Sequence, residues 1–287
     1  MAKLEGRVCT MANSSCIHHN EPWLEEIPKR EVSAMIYVLS DIHGQRKRFD
    51  SILKQINLQP EDTLYVLGDV IDRYPDGIRI LRQLMAMPNV KMLQGNHEFM
   101  MLRALYEPVP DDEIFPEDYL YRAMRLWYRN GGGITHEYLK RIRKTIRQEV
   151  FEYLSKLPLS YEITVNERKY LLVHGAPACF FPDRQGKYLT EREFSVWKRY
   201  DFDLPQLENT TIIFGHTPTN WYQLCNPMQI WHGEGWIGID CGATYPERGD
   251  SWSGYFGRLA CLRLDDMKEF YSVERFKPAA KKKEQNA

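Results

Sequence analysis

This sequence is nearly free of net charge: 38 Lys and Arg stand against 39 Asp and Glu, for a formal charge of -1. A chain so balanced carries no basic field to grip nucleic acid or an anionic membrane surface. Cysteine is sparse, with Cys9, Cys16, Cys179, Cys225, Cys241 and Cys261 following no paired spacing. Six thiols cannot staple 287 residues, so reduced cysteines in the cytoplasm are expected instead of a secreted disulfide scaffold. No apolar run nears the roughly 20 residues that a membrane span needs. The first residues also lack the basic-then-apolar order of a secretory leader, and no internal repeat is present. These absences leave a cytoplasmic protein that binds neither nucleic acid nor membrane. Its length permits a substantial core, and its oligomeric state is open.

What is present concentrates between Met35 and Glu98. Three short β-branched and aliphatic runs occur there, each ending in small and metal-binding residues: Ser40-Asp41-Ile42-His43-Gly44, Gly68-Asp69-Val70-Ile71-Asp72-Arg73 and Gly95-Asn96-His97-Glu98. Residues one apart on an extended chain leave from the same side, so Asp41 and His43 can serve one ligand. Between the runs, Phe49, Ile52, Leu53 and Ile56, then Ile78, Leu81, Leu84 and Met85, keep helical spacing. Apolar strands alternating with amphipathic helices indicate βαβ units in an α/β protein. Functional groups in such folds collect at the carboxyl ends of the strands, where these motifs lie.

Around that block, residues 1–34 read as a weakly structured extension with mixed polarity. Cys16-Ile17-His18-His19 within it offers one arm of a zinc site and no second arm, so chance juxtaposition is favoured. Residues 107–157 change character and read as a helical cap inserted between strands, two helical stretches separated by Asn130-Gly131-Gly132-Gly133. The basic run Lys140 to Arg147 is read as a solvated helix face. Strands return at Tyr161–Val165 and Lys169–Val173, the latter ending in His174. A short helix is expected over Glu191–Trp197 and a strand over Thr211–Phe214, leading to Gly215-His216-Thr217-Pro218. Further strands are expected at Trp221–Leu224, Gln229–His232, Ile237–Asp240, Arg258–Leu264 and Phe270–Glu274. Residues 277–287, with three consecutive lysines, read as a disordered basic tail.

The chemistry that fits these strand ends is a pair of divalent ions, about 3.5–4 Å apart, clamping the attacking and leaving oxygens of a phosphoryl displacement. Such a centre needs mixed ligands, because carboxylates alone favour Mg or Ca whereas imidazole admits Mn, Fe, Zn or Co. Asp41 and His43 can hold the first ion, Asp69 can bridge, and Asn96, His174 and His216 can hold the second. Two dications against two ligand carboxylates leave a positive pocket suited to a phosphate dianion, and Arg73 adds to it. His97 has no obvious place as a ligand. It is suited to protonate the leaving oxygen, with Asp72 accepting its other ring N–H. A single strand-end Asp or His is more often a turn former, and the weight lies in three elements in order followed by two more strand-terminal histidines. His18, His19, His136 and His232 lack that context and read as structural or exposed. Tyr74, Trp221, Trp231 and Trp252 read as packing residues.

The three motifs resemble the signatures of the PPP-type metal-dependent phosphoprotein phosphatases, within the calcineurin-like metallophosphoesterases. The likeness runs from about Met35 to Asp265, and Asn130 to Gly133, Trp197-Lys198-Arg199 and Gly215 to Pro218 look like counterparts in small phage and bacterial members. The resemblance implies a β-sandwich of two mixed sheets flanked by helices, with residues 35–276 as the catalytic domain. It implies metal-activated water attacking phosphorus directly, with Arg73 and Arg199 on the phosphate, His97 as general acid and Asp72 supporting it; Asn96 sits beside the same phosphate. It makes manganese the usual activating ion. Ser40 and Tyr74 stand where the family usually has glycine, which leaves substrate choice open.

The favoured function is a phosphatase acting on phosphoserine and phosphothreonine of proteins. Its rival is a hydrolase of dinucleoside polyphosphates such as diadenosine tetraphosphate, which resembles it in every metal motif. A nuclease or phosphodiesterase of the wider superfamily ends this last motif in Gly-His-x-His, where this chain has Pro218. A catalytically dead binding module would have lost a ligand or the acid, and here none is missing. The expected partner is therefore a phosphoprotein or a phosphorylated small molecule.

Overall fold

The computed structural model describes residues 34–273 except 112, 183–189, 202 and 247–252. The expected basic tail, Trp252, His18, His19 and all but the last residue of the expected N-terminal extension lie outside the described residues.

The strand-helix alternation read from the sequence builds the first sheet. β1 (Ile36–Leu39), β2 (Thr63–Val66) and β3 (Val90–Met92) run parallel, with α1 (Arg46–Ile56) and α2 (Gly77–Met85) as crossovers. β9 (Ala260–Arg263) pairs antiparallel with β1, and β10 (Lys268–Tyr271) pairs with β9, giving the order β10-β9-β1-β2-β3. The second sheet has the order β4-β5-β6-β8-β7: β4 (Ser160–Val165), β5 (Arg168–Val173), β6 (Thr210–Phe214), β7 (Trp231–His232) and β8 (Trp236–Gly238). Its three central strands are parallel and its two edges antiparallel, so both sheets are mixed.

Side-chain alternation along each strand explains why the sheets face each other. Val38, Tyr65, Tyr170, Leu172, Ile213 and Leu262 share one buried cluster between the sheets. Their neighbours Leu39, Leu64 and Val66 turn to the opposite side of the first sheet and meet helices. Leu171, Val173, Ile212 and Phe214 turn to the outer side of the second sheet. A period of two puts alternate residues on opposite faces, and burying both faces accounts for the nearly continuous apolar runs. Truncating one of these side chains, as in Leu172→Ala, should cost about 2–5 kcal/mol.

Three helices fill the insertion, α4 (Pro116–Arg129), α5 (Gly133–Arg141) and α6 (Lys144–Ser155), where two stretches were expected. The extra break falls at Ile142, whose extended backbone ends α5 with neither glycine nor proline to announce it. Trp127, Leu139, Val150 and Leu154 join the core on the helical side of the first sheet. α7 (Glu191–Trp197) starts at Thr190, whose hydroxyl accepts the Glu193 N–H, a standard helix cap. The strand expected at Trp221–Leu224 is instead a 3₁₀ turn over Thr219–Trp221. Its backbone is satisfied locally by Trp221 N–H to Pro218 O and across the chain by Thr219 N–H to Asp240 O, leaving no edge to pair. The strand expected at Gln229–His232 shrinks to Trp231–His232.

Candidate active site

Asp41, His43, Asp69, Asp72, Arg73, His174 and His216 sit in turns that follow strands, Asn96 and His97 open the helix after β3, and most of the turn residues share an unusual backbone. Asp41, His43, Asp69, Asp72, Arg73 and His216 all have positive φ, between 47° and 70°. Such a conformation costs a non-glycine residue of order 1 kcal/mol or more and persists where surrounding structure fixes it. Here the fixing bonds are visible. His43 N–H and Gly44 N–H donate to Asp69 O and Val70 O, lacing the first turn to the second. The buried Glu98 carboxylate accepts the N–H groups of Asp69, Val70 and Gly95 at 2.9–3.0 Å, tying the second turn to the start of α3 (Asn96–Leu105). Glycine is required at two of these approaches. A Cβ at Gly95 would strike Asp69, and one at Gly215 would strike Ser40 and Asp41.

These turns bring Asp41, His43, Asp69, Asn96, His97, His174 and His216 together, and all but His216 are buried. Two triads that could hold an ion emerge, His43-Asp69-His97 and Asp69-His174-His216, with Asp69 in both. Asp69 Oδ2 lies 3.6 Å from His43 Nε2, and its Oδ1 lies 3.5 Å from His174 Nε2. Asp41 Oδ1 is 3.8 Å from His43 Nε2. Asn96 Oδ1 is 3.0 Å from His174 Nε2 and 2.9 Å from His216 Nδ1. Ser40, where a glycine was the family's habit, donates its hydroxyl to Asp41.

The donor set fits divalent ions, because lone pairs converge on one another. His174 Nδ1 donates to Leu67 O at 2.7 Å and His43 Nδ1 to Ile71 O at 3.1 Å. In a neutral imidazole those bonds leave Nε2 as a bare acceptor. Both Nε2 atoms face other acceptors, Asn96 Oδ1 and the Asp69 carboxylate, an arrangement that a cation relieves. The titration shifts agree. Burial, then the neighbouring Asp69 charge, pushes Asp41 up to about 6. Burial alone would depress His174, but the Asp69 and Asp41 charges outweigh it and raise its pKa. A proton on His174 thus takes the place a dication would hold. His43 and His216 are held well below the ordinary imidazole value by burial, with cationic neighbours adding to it.

His97 and Asp72 form a separate dyad beside these triads. His97 Nδ1 is 2.7 Å from Asp72 Oδ2, which also accepts Trp127 Nε1–H at 2.8 Å. Arg73 Nη2 lies 3.1 Å from His97 Nε2. A guanidinium can only donate, so Nε2 accepts and the ring proton sits on Nδ1, toward Asp72. Burial pushes Asp72 up to about 7 and His97 down to about 3. Both directions disfavour a lone charge, whereas the dyad formed as a pair cancels its own. Arg73 and Arg199 are exposed at the mouth, and Arg199 is close enough to depress His216.

Some neighbours of the site escaped the sequence reading. Asp240 lies two residues past β8, is buried, and is pushed up to about 8 by burial and then by the Asp41 charge. Trp127 supports Asp72 from the insertion. Trp221, read as a packing residue, is 62% exposed and carries the Arg199 guanidinium 4.5 Å from its ring centre. Trp231 does pack, stacked on Tyr222 at 4.8 Å. His136 bonds Tyr128 and His232 pairs with Glu269, each away from the site.

A family model described as calcineurin-like phosphoesterase matches residues 34–240. The chain belongs to that family. As a phosphoesterase it is a hydrolase acting on phosphoesters, and the family's divalent metals suit the triads around Asp69. Serine/threonine-protein phosphatase 2 of Escherichia coli (strain K12) is 30% identical over 194 residues, 63% of this chain and 78% of that protein. A symmetrical bis(5'-nucleosyl)-tetraphosphatase of Yersinia pestis (strain Pestoides F) is 36% identical over 86 residues, 28% of this chain and 29% of that protein. This phosphoesterase therefore aligns with less than a third of that relative's length. The crystal structure of a candidate diadenosine tetraphosphatase matches with a TM-score of 0.50 at 18% identity, over 84% of this chain and 94% of that one, and bears on the fold alone. No described helix is long and apolar enough to cross a membrane.

Proposed function

We propose that this phosphoesterase is a phosphomonoesterase acting on phosphoserine and phosphothreonine in proteins. The observation that carries the reading is Asp69, whose two carboxylate oxygens face His43 on one side and His174 on the other. One carboxylate shared between two ligand groups is what a binuclear centre requires. Asp41, His43 and Asp69 would hold one ion, and Asp69, Asn96, His174 and His216 the other. When bound, the two ions supply an activated water and offset the charge that builds on phosphorus. The mixed imidazole, amide and carboxylate donors admit manganese, iron, zinc or cobalt, and manganese is favoured among them only because the family resemblance implies it.

The remaining work falls to the chain's own residues. Arg73 and Arg199 grip phosphate oxygens at the mouth, a task suited to the planar guanidinium. Binding a phosphate draws Arg73 away from His97 and frees Nε2. His97 then takes a proton from solvent onto the freed Nε2 and, as an imidazolium, passes that proton to the leaving oxygen, while the Asp72 carboxylate accepts Nδ1–H, offsets the ring's charge and orients it. Trp127 holds Asp72 in turn. The free thiols at Cys179, Cys225, Cys241 and Cys261 accord with a reducing, cytoplasmic setting.

Support for a protein substrate is the E. coli protein phosphatase, aligned across most of its length. The dinucleotide reading has the 86-residue match in its favour. The deciding experiment is parallel turnover of a phosphoserine peptide and diadenosine tetraphosphate by manganese-loaded enzyme, with a chelated control. Faster cleavage of the peptide is expected. Cleavage of the dinucleotide alone would replace the proposal with its rival.

A further inference from the structure

Trp221 is a large indole left mostly in water beside the candidate site. Its ring meets the Arg199 guanidinium at 4.5 Å. Among the described residues no carboxylate pairs with Arg199, although it stands on an exposed loop. That loop is fastened to the His216 turn by a short ladder of matched neighbours. The Trp197 ring meets His216 edge-on at 6.0 Å, Arg199 lies over Trp221, and Tyr222 OH donates to Tyr200 O at 3.1 Å. Tyr200 also packs on Trp236 at 4.3 Å, anchoring the ladder to the second sheet. The Trp221 end is fixed independently, since Thr219 N–H reaches Asp240 O just beyond β8.

We infer that Trp221 is a positioning residue for Arg199. Its face holds the guanidinium over the site without neutralising it, so the full charge remains for a phosphate. A carboxylate in the same place would also hold the arginine but would repel the substrate. An unsupported arginine would sample many rotamers and lose that freedom on binding. The indole is the strongest of the aromatic faces for this purpose. The inference rests on the phosphate role proposed for Arg199.

The test compares Trp221→Leu, Trp221→Phe, Arg199→Ala and the Trp221→Leu/Arg199→Ala double variant. For each, kcat and KM are measured with a phosphoserine peptide and with phenyl phosphate, inorganic phosphate binding by calorimetry, and Tm by scanning calorimetry. Trp221→Leu should raise KM and the phosphate Kd by roughly two- to fivefold at unchanged Tm, and Trp221→Phe should recover part of the loss. In the Arg199→Ala background the same change should add nothing. An equal loss in that background overturns the inference, as does a loss confined to phenyl phosphate, which would mean the indole touches substrate directly. If Arg199→Ala weakens phosphate binding while Trp221→Leu does not, only the positioning role falls. If Arg199→Ala changes neither KM nor phosphate Kd, the phosphate role of Arg199 falls and takes this inference with it.

Discussion

The first sheet delivers Asp41, His43, Asp69 and Asn96 from three parallel strand ends, all between Met35 and Glu98. The second sheet delivers His174, His216 and Asp240 from strand ends much farther apart in sequence, and Arg199 comes from a loop between two of them. Five of the six strained left-handed residues at the site, Asp41, His43, Asp69, Asp72 and Arg73, follow strands of the first sheet. They are laced by backbone bonds and by the buried Glu98. On the second sheet's side the loops carry exposed Arg199 and Trp221 and are held by aromatic packing. The difference separates two jobs. Rigid, dry geometry suits ligands whose positions set the chemistry, and the looser rim suits groups that meet the substrate.

Substitutions should break that division most visibly in the first sheet. Asp69→Asn removes the carboxylate both triads share, so its loss of kcat should exceed that of any other single change. Metal content by plasma emission should fall alongside activity. Retention of both ions and of turnover would show that Asp69 is not the bridge. His97→Ala should follow, lowering kcat by about 10²–10⁴-fold with metal content unchanged, as for a general acid. Wild-type turnover of an alkyl phosphate by that variant would remove the role.

Trp127→Phe tests a smaller effect, reached from the insertion. The indole N–H stabilises ionised Asp72, so its loss should raise the Asp72 pKa above its already elevated value of about 7. Asp72 must be ionised to orient His97, so the acidic limb of the kcat/KM profile should move to higher pH. At neutral pH the cost should be of the order of tenfold. An unmoved acidic limb would mean that Asp72 does not titrate in that limb.

The same contrast explains what the sequence made legible. Asp41, His43, Asp69, Asn96 and His97 stand in three consecutive strand-turn units, so pattern alone gathers them. His174 and His216 were visible because each ends an apolar run in a Gly-bearing turn. Asp240 ends Ile237-Gly238-Ile239-Asp240 in the same manner and was passed over, because it was taken as the last residue of a strand. Trp127 could not be found that way, since only the folding of α4 onto the first sheet brings its indole to Asp72. Trp221 was misread for a related reason. Aromatic content argues for burial on average, but its turn is fixed by a backbone bond to Asp240 that no local pattern shows.

Metal-free stability should show the smallest effect, and its sign follows from opposed groups. Asp41 is pushed up to about 6 and Asp240 to about 8, each chiefly by burial and then by a neighbouring carboxylate. An unfolded chain releases those protons near pH 4. Between about pH 4 and 8 the folded state therefore holds protons the unfolded state has lost. The stability they contribute is complete below pH 4 and gone above about 8. His43, His97 and His216, lowered chiefly by burial, act in reverse. Below about pH 6.5 the unfolded chain takes up protons that the folded imidazoles refuse, so stability falls as pH drops. Asp69, Asp72, Glu98 and His174 are raised as well and act with the carboxylates, so the groups that hold protons outnumber the three lowered imidazoles and metal-stripped protein should melt higher at pH 6.5 than at pH 8.5. Toward pH 8.5 it should lose about 1.4 kcal/mol per pH unit for each proton released, several degrees of Tm in a chain of this size. A dication held by Asp41 and Asp69 would take the place of the Asp41 proton, so the metal-loaded protein should show a weaker alkaline fall. Scanning calorimetry at pH 5, 6.5 and 8.5, with and without metal, reads both limbs. A stripped protein whose Tm climbs steadily to pH 8.5 would show that the carboxylates of the two sheets do not repel one another across the site.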